Sequence, residues 1–185
     1  MKVIRTDLPG CLVLEPRVFE DARGFFYESF NLDKFAAEGL CPRFVQGNVS
    51  RSSQGVLRGL HFQNPKAQGK LVSVLEGEVW DVAVDVRRGS PGFGRWCGVL
   101  LSADNKRHFW IPEGFAHGFV TLSEQALFTY LCTDTYDPAA DTGIRWDDPQ
   151  LAIDWPVAAP VLSDKDAKLP RLAEVAPERL PVYAG

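Results

Sequence analysis

A chain of 185 residues with 45% hydrophobic content, including 12 Phe and 5 Trp, can fill the core of one domain. Its net charge of -4 and its 20 scattered Lys and Arg residues leave no electrostatic footprint for nucleic acid or an anionic membrane. Cys11, Cys41, Cys97 and Cys132 form no Cys-x-x-Cys pair, which argues against zinc and against a disulfide framework, and no apolar run approaches the ~18 residues a membrane span needs.

Taken in chain order, short strands are expected at 12 to 19 and 25 to 30, separated by the turn Asp21-Ala22-Arg23-Gly24. One helix follows: Asn31 can cap it, Leu32, Phe35 and Ala36 share a face, and Gly39 supplies the stop. Strands at 44 to 50 and 56 to 62 lead to Leu71–Leu75 and Trp80–Val86, which read as a pair joined by a tight turn at Glu76-Gly77. In the second of these, Trp80, Val82, Val84 and Val86 alternate with Asp81, Ala83 and Asp85, the pattern of a half-buried strand. Further strands are expected at 97 to 102, 107 to 111, 115 to 121 and 126 to 133, with short helical turns after residue 162. Many short strands at regular spacing predict a mainly β sandwich or barrel in a single domain over 1–185, with an extended, loosely held tail from about 171. The N-terminus carries no apolar signal core, so a cytoplasmic protein is expected.

Two of the three histidines sit in rigid-looking motifs, His61 closing Arg58-Gly59-Leu60-His61 and His117 inside Ile111-Pro112-Glu113-Gly114-Phe115-Ala116-His117-Gly118-Phe119. Imidazole ionises nearest neutrality, so each is a candidate base or metal ligand, or else a packed, hydrogen-bonded core group. His108, beside Lys106 and Arg107, reads as a surface strand residue. The motif Pro112-x-Gly114-x-x-His117-x-Phe119 resembles the second signature of the cupin jelly roll. Metal-bound cupins need a three-histidine-plus-carboxylate set, commonly with a His-x-His pair, and this chain has only His61, His108 and His117 with no such pair, so a cupin without a bound metal is expected.

Six ordered motifs are more specific: Arg23-Gly24-Phe25-Phe26-Tyr27-Glu28, Phe44-Val45-Gln46-Gly47-Asn48, Arg58-Gly59-Leu60-His61-Phe62-Gln63, Gln68-Gly69-Lys70-Leu71, the His117 motif, and Leu162-Ser163-Asp164-Lys165-Asp166. Together, from about Leu8 to about Asp166, they resemble the dTDP-4-dehydrorhamnose 3,5-epimerase family. The resemblance implies a cupin-type antiparallel jelly-roll barrel with a few short helices. It also implies a homodimer and a cofactor-free inversion of C3 and C5 in dTDP-4-dehydro-6-deoxy-D-glucose, on the route to dTDP-L-rhamnose. Both carbons flank the C4 ketone, so loss of either proton spreads charge onto the C4 oxygen, which a fixed cation can hold.

By the same resemblance His61 is the base, Asp166 orients it, Lys70 steadies the enolate and Tyr130 returns a proton to the opposite face. His117 lies in the pocket. Arg23, Arg58 and Lys165 match pyrophosphate contacts, and Gln46, Asn48 and Glu28 match polar contacts to thymidine or sugar. Phe25, in the first of the six motifs, and Asp141, where relatives often have Glu, are further substrate-binding candidates, and Tyr136 stands where an aromatic stacks on the nucleotide. The N-terminal strand carrying Arg23 and Glu28 is expected to cross to the partner subunit. Read without the family, Lys70 is a solvated strand-edge lysine, Tyr130 a core tyrosine and Ser163-x-x-Asp166 a capping box. The competing readings are a monoepimerase on the same kind of substrate, a sugar-nucleotide-binding cupin without turnover, and, last, a metal-dependent cupin oxygenase.

Overall fold

The computed structural model describes residues 1–184. Its elements in chain order are β1 (Lys2–Arg5), β2 (Leu12–Glu15), β3 (Val18–Asp21), β4 (Gly24–Tyr27), α1 (Leu32–Ala37), β5 (Gln46–Ser53), β6 (Leu57–Gln63), β7 (Lys70–Glu76), β8 (Glu78–Asp85), β9 (Trp96–Ser102), β10 (His108–Ile111), β11 (Phe115–Thr121), β12 (Gln125–Cys132) and β13 (Asp141–Gly143), followed by three 3-10 turns after residue 165. A six-stranded sheet in the order β1-β2-β10-β7-β12-β5 packs on a five-stranded sheet in the order β13-β6-β11-β8-β9, and β3 and β4 form a separate hairpin. Every strand pairing in these sheets is antiparallel. This is the expected mainly β, cupin-type barrel. No helix among the described residues is long and apolar enough to cross a membrane.

Period-two alternation builds the barrel interior. Val72, Val74 and Phe128 of one sheet meet Val79, Ala83 and Phe119 of the other, with the Phe119 and Phe128 rings stacked at 4.1 Å. Helix α1 forms as the sequence predicts. Asn31 caps it by accepting from the Lys34 amide, Gly39 follows its end at φ 78, and Phe35 is buried against Leu12, Leu14, Leu71 and Trp110 on the outer face of the six-stranded sheet.

Several expectations are corrected. Leu71–Leu75 and Trp80–Val86 form no hairpin: β7 pairs with β10 and β12, β8 pairs with β9 and β11, and Glu76-Gly77 carries the chain from one sheet to the other. Nor is β8 half-buried. Val82, Val84 and Val86 lie under Ile144, Leu151, Leu172, Val175 and Leu180, while Asp81, Ala83 and Asp85 are buried on the opposite, inward face. The strand expected at 12 to 19 divides into β2 and β3, and the short β1 and β13 pair at sheet edges without a clear alternation of their own. The tail expected to be loosely held from about 171 instead packs Leu172, Val175 and Leu180 into that outer cluster, and Val182 bridges to Arg88. His108 is not on the surface: it is 5% exposed, on β10 between β2 and β7.

Candidate active site

A cavity of about 280 Å³ opens between the two sheets, and its polar lining comes from both walls. The five-stranded wall supplies Arg58 and His61 from β6 and His117 and Phe119 from β11. The six-stranded wall supplies Ser50 from β5, Lys70 from β7 and Tyr130 from β12. Ser163, Lys165 and Asp166 close one side.

His61 and His117 are direct cross-strand partners in the β6–β11 ladder. The close approach beside them depends on glycine. A Cβ on Gly59, whose φ is +130, would stand 2.5 Å from Gly118 Cα and 2.8 Å from the His117 carbonyl oxygen. His61 Nε2 lies 2.6 Å from Asp166 Oδ1. Burial alone would raise the Asp166 carboxyl, but the His61 hydrogen bond, with help from Ser163 and the Gly59 amide, outweighs it and holds the group below the usual carboxylate range. With Nε2 donating to Asp166, Nδ1 carries the lone pair available to a ligand. Asp166 is also held through its backbone, since its amide donates to Ser163 Oγ at 3.1 Å. The capping contact and the dyad thus coexist.

His117 Nε2 lies 2.9 and 3.0 Å from the two oxygens of Asp81, a fully buried carboxylate on β8 that the sequence reading did not single out. Its signal was present in the alternation: Asp81 sits on the polar face of β8, and a polar face inside a barrel needs partners. Burial pushes the His117 imidazole down and the Asp81 carboxyl up, so His117 is held neutral and donates its single proton to Asp81. Lys70 is no strand-edge lysine; it is 7% exposed with no carboxylate within ion-pair distance among the described residues. Burial lowers its ammonium's pKa, opposed by the nearby Cys132, Asp81 and Asp141. Burial likewise raises the Tyr130 phenol, which stays a proton donor at neutral pH.

A polar strip leads outward from the cavity. Gln46 and Asn48 share the inward face of β5 with Ser50, and Gln46 is fixed by donating to Asn48 Oδ1 at 3.1 Å and accepting from the Tyr136 amide at 2.8 Å. Arg58 is held by its Nε donating to Ser52 Oγ at 3.0 Å. Asp141 Oδ2 accepts from the Tyr136 hydroxyl at 3.1 Å and from Lys165 Nζ. Burial disfavours the Lys165 charge, yet the Asp141 carboxylate outweighs it and raises that ammonium's pKa. Tyr136 is 53% exposed.

Three expected contacts lie elsewhere. Arg23 sits at the tip of the β3–β4 hairpin, paired with Asp21 at 2.6 Å. Phe25 is on the same hairpin under Lys106, and Glu28 is tied to Lys34 and Asn31 beside α1. None of the three lines this chain's own cavity. No group of three or more His, Cys, Asp or Glu side chains gathers as a metal site among the described residues.

Comparison with known proteins accords with this geometry. The family model described as dTDP-4-dehydrorhamnose 3,5-epimerase matches residues 5–174. A dTDP-4-dehydrorhamnose 3,5-epimerase of Pseudomonas aeruginosa is 58% identical over 168 residues, covering 90% of this chain and 93% of its own. The solved dTDP-6-deoxy-D-glucose-3,5-epimerase of Legionella pneumophila, in complex with dTDP-4-keto-L-rhamnose, superposes with a TM-score of 0.97 at 54% identity, covering 100% of this chain and 99% of its own. A 3'-monoepimerase from Streptomyces bikiniensis, in complex with dTDP-quinovose, has a TM-score of 0.88 at 37% identity, covering 96% and 92%.

Proposed function

The chain belongs to the dTDP-4-dehydrorhamnose 3,5-epimerase family and is an isomerase of that kind, and we propose that it inverts C3 and C5 of dTDP-4-dehydro-6-deoxy-D-glucose with His61 as base and Tyr130 as acid. The observation that carries this reading is that His61 and Tyr130 stand on opposing sheets across one cavity. Inversion requires that arrangement, because a base returning the proton to its own side merely exchanges it.

In the proposed sequence, His61 Nδ1 removes the proton from one carbon next to the C4 ketone, and Asp166 steadies the imidazolium that forms. The charge moves to the C4 oxygen, where the buried Lys70 ammonium meets it. Tyr130 then delivers a proton from the other wall. Solvent resets both groups, and the cycle repeats at the second carbon. His117, with Nε2 committed to Asp81, offers Nδ1 as an acceptor to a sugar hydroxyl. The strip of Arg58, Gln46, Asn48, Tyr136, Asp141 and Lys165 takes the nucleotide end, with arginine's planar fork suited to phosphate oxygens.

We further infer a homodimer in which Arg23, Phe25 and Glu28 complete the partner's site. The support is the hairpin that bears them: a two-stranded ribbon paired with no other strand, with Phe19, Phe25 and Phe26 51%, 60% and 69% exposed. A cytoplasmic setting suits the four free cysteines, which stay reduced there.

The test is incubation with dTDP-4-dehydro-6-deoxy-D-glucose in deuterated water, reading deuterium and configuration at C3 and C5 separately. Label with inversion at both carbons is expected. Label at one carbon alone would replace the reading with monoepimerisation, and binding without any label would leave a sugar-nucleotide-binding cupin.

A further inference from the structure

The turn that ends at Asp141 is held from outside the barrel. The Asp141 amide donates to the Asp137 carbonyl at 3.0 Å, one turn of helix-like backbone, so the next carbonyls point the same way. Arg179 meets them: Nη1 donates to Ala139 O at 2.9 Å, and Nη2 to Asp141 O at 2.9 Å and Ala140 O at 3.5 Å. A guanidinium fork is the side chain that can serve several aligned carbonyls at once, and a cation is favoured at that end of a helical turn. Arg179 is itself anchored, because Leu180 and Val175 are buried on either side of it and the Glu178 carbonyl accepts from Asn64 Nδ2 at 3.2 Å.

The other side of the same turn carries the Asp141 side chain to Lys165, which lines the cavity. The Asp141 side chain is 9% exposed, and its Oδ2 is the common acceptor for Tyr136 and Lys165. A shift of the Asp141 backbone therefore moves both groups together. Arg179 lies beyond residue 174, where the match to the family model ends, and its hydrogen bonds go to the backbone of 139–141 rather than to a cavity-lining side chain.

We propose that Arg179 is a positioning residue for the nucleotide end of the site, acting through the turn 137–141 on Tyr136, Asp141 and Lys165. This rests on the reading of those three groups as nucleotide contacts. The chemistry at C3 and C5 is carried by other elements, so the effect falls on nucleotide affinity rather than on turnover.

The experiment compares full-length wild type with Arg179→Ala, measuring dTDP binding by calorimetry alongside kcat and KM. We expect Kd for dTDP and KM to rise about tenfold with kcat held, roughly the weakening of one hydrogen bond to a charged group. Arg179→Lys, which retains a cation but not the fork, should recover part of the loss. In an Asp141→Ala, Tyr136→Ala background, Arg179→Ala should weaken dTDP by less than about twofold, since coupled residues are not additive. Unchanged dTDP affinity, a fall in kcat at constant KM, or the full loss repeated in that background would each overturn the proposal. Should Arg179→Ala fail to fold, Arg179→Gln is read by hydrogen exchange: faster exchange at the Asp141 amide with weakened dTDP is the expected result, and unchanged exchange overturns the proposal. If the wild-type protein itself binds no dTDP, the proposed function fails first and takes this inference with it.

Discussion

His61 and His117 face each other directly across the β6–β11 ladder, yet each turns its Nε2 to a different carboxylate, Asp166 on the closing loop and Asp81 on β8. The two dyads differ in their surroundings. The His61 side chain is 31% exposed and reaches the cavity, whereas His117 and Asp81 are buried beside Lys70. The first pair is suited to moving a proton and the second to holding a fixed charge pattern. Asp166→Asn should therefore cut kcat by about a hundredfold or more, the usual scale for disabling a general base. Asp81→Asn should act differently. The Asp81 charge raises the Lys70 ammonium's pKa against its burial, so removing it lets Lys70 lose its proton at lower pH. The alkaline limb of the kcat profile should move down in pH, and an unmoved limb would separate Asp81 from the function of Lys70.

Tyr130 stands on the wall opposite His61, and burial keeps its phenol protonated. Tyr130→Phe should leave base and enolate stabiliser intact, so deuterium should still enter the substrate while inversion falls by about a hundredfold. His61→Ala should abolish both. The two are compared by following solvent label and product configuration in the same reaction. Wild-type exchange rates in His61→Ala would remove His61 from the role of base.

Most strands were legible because alternation and turn residues are local signals, and α1 was legible because Asn31 and Gly39 punctuate it. What failed were non-local facts. Glu76-Gly77 reads as a hairpin turn, but whether two successive strands pair or part is decided by the sheets they join. Asp81 reads as solvent-facing because polar residues on a strand usually are. Here that face points into a cavity, and its burial is compensated by His117. His108 misled in the same way, since its charged neighbours in sequence, Lys106 and Arg107, point elsewhere. The catalytic candidates came from the family resemblance rather than from pattern: spacing alone says nothing that would bring Asp166 to His61.

His108 gives a stability prediction. It is 5% exposed, its Nε2 has no hydrogen-bond partner, and burial lowers its pKa from 6.5 to about 4. Below pH 6.5 the unfolded chain takes up a proton here that the folded chain refuses, so the contribution to stability is complete above 6.5 and is lost as pH falls toward 4. The slope is about 1.4 kcal/mol per pH unit, or about 3 kcal/mol over the window. His108→Phe, which cannot ionise, should lose less stability than wild type between pH 7 and pH 4 in urea titrations. Parallel pH curves for the two proteins would show that His108 does not contribute to the acid limb.

The exposed hairpin gives the prediction about assembly. Arg23 and Phe25 project on β3–β4 and Glu28 lies beside α1, all away from this chain's own cavity, although their residue types suit a nucleotide diphosphate and its base. If the hairpin serves the partner's cavity, each site of the homodimer takes His61 from one chain and Arg23 with Glu28 from the other. An Arg23→Ala, Glu28→Ala chain and a His61→Ala chain should then each be inactive alone. In a heterodimer of the two, one site collects every defect and the other is wholly wild type. Random reassortment makes half the dimers mixed, each with one working site, so co-refolding should restore about one quarter of wild-type activity. The mixture is assayed after confirming heterodimers by differentially tagged pull-down. An active monomer at assay concentrations, or verified heterodimers without any recovery, would show that each chain builds its site alone, and the role of Arg23 and Glu28 would then have to be sought on the hairpin itself.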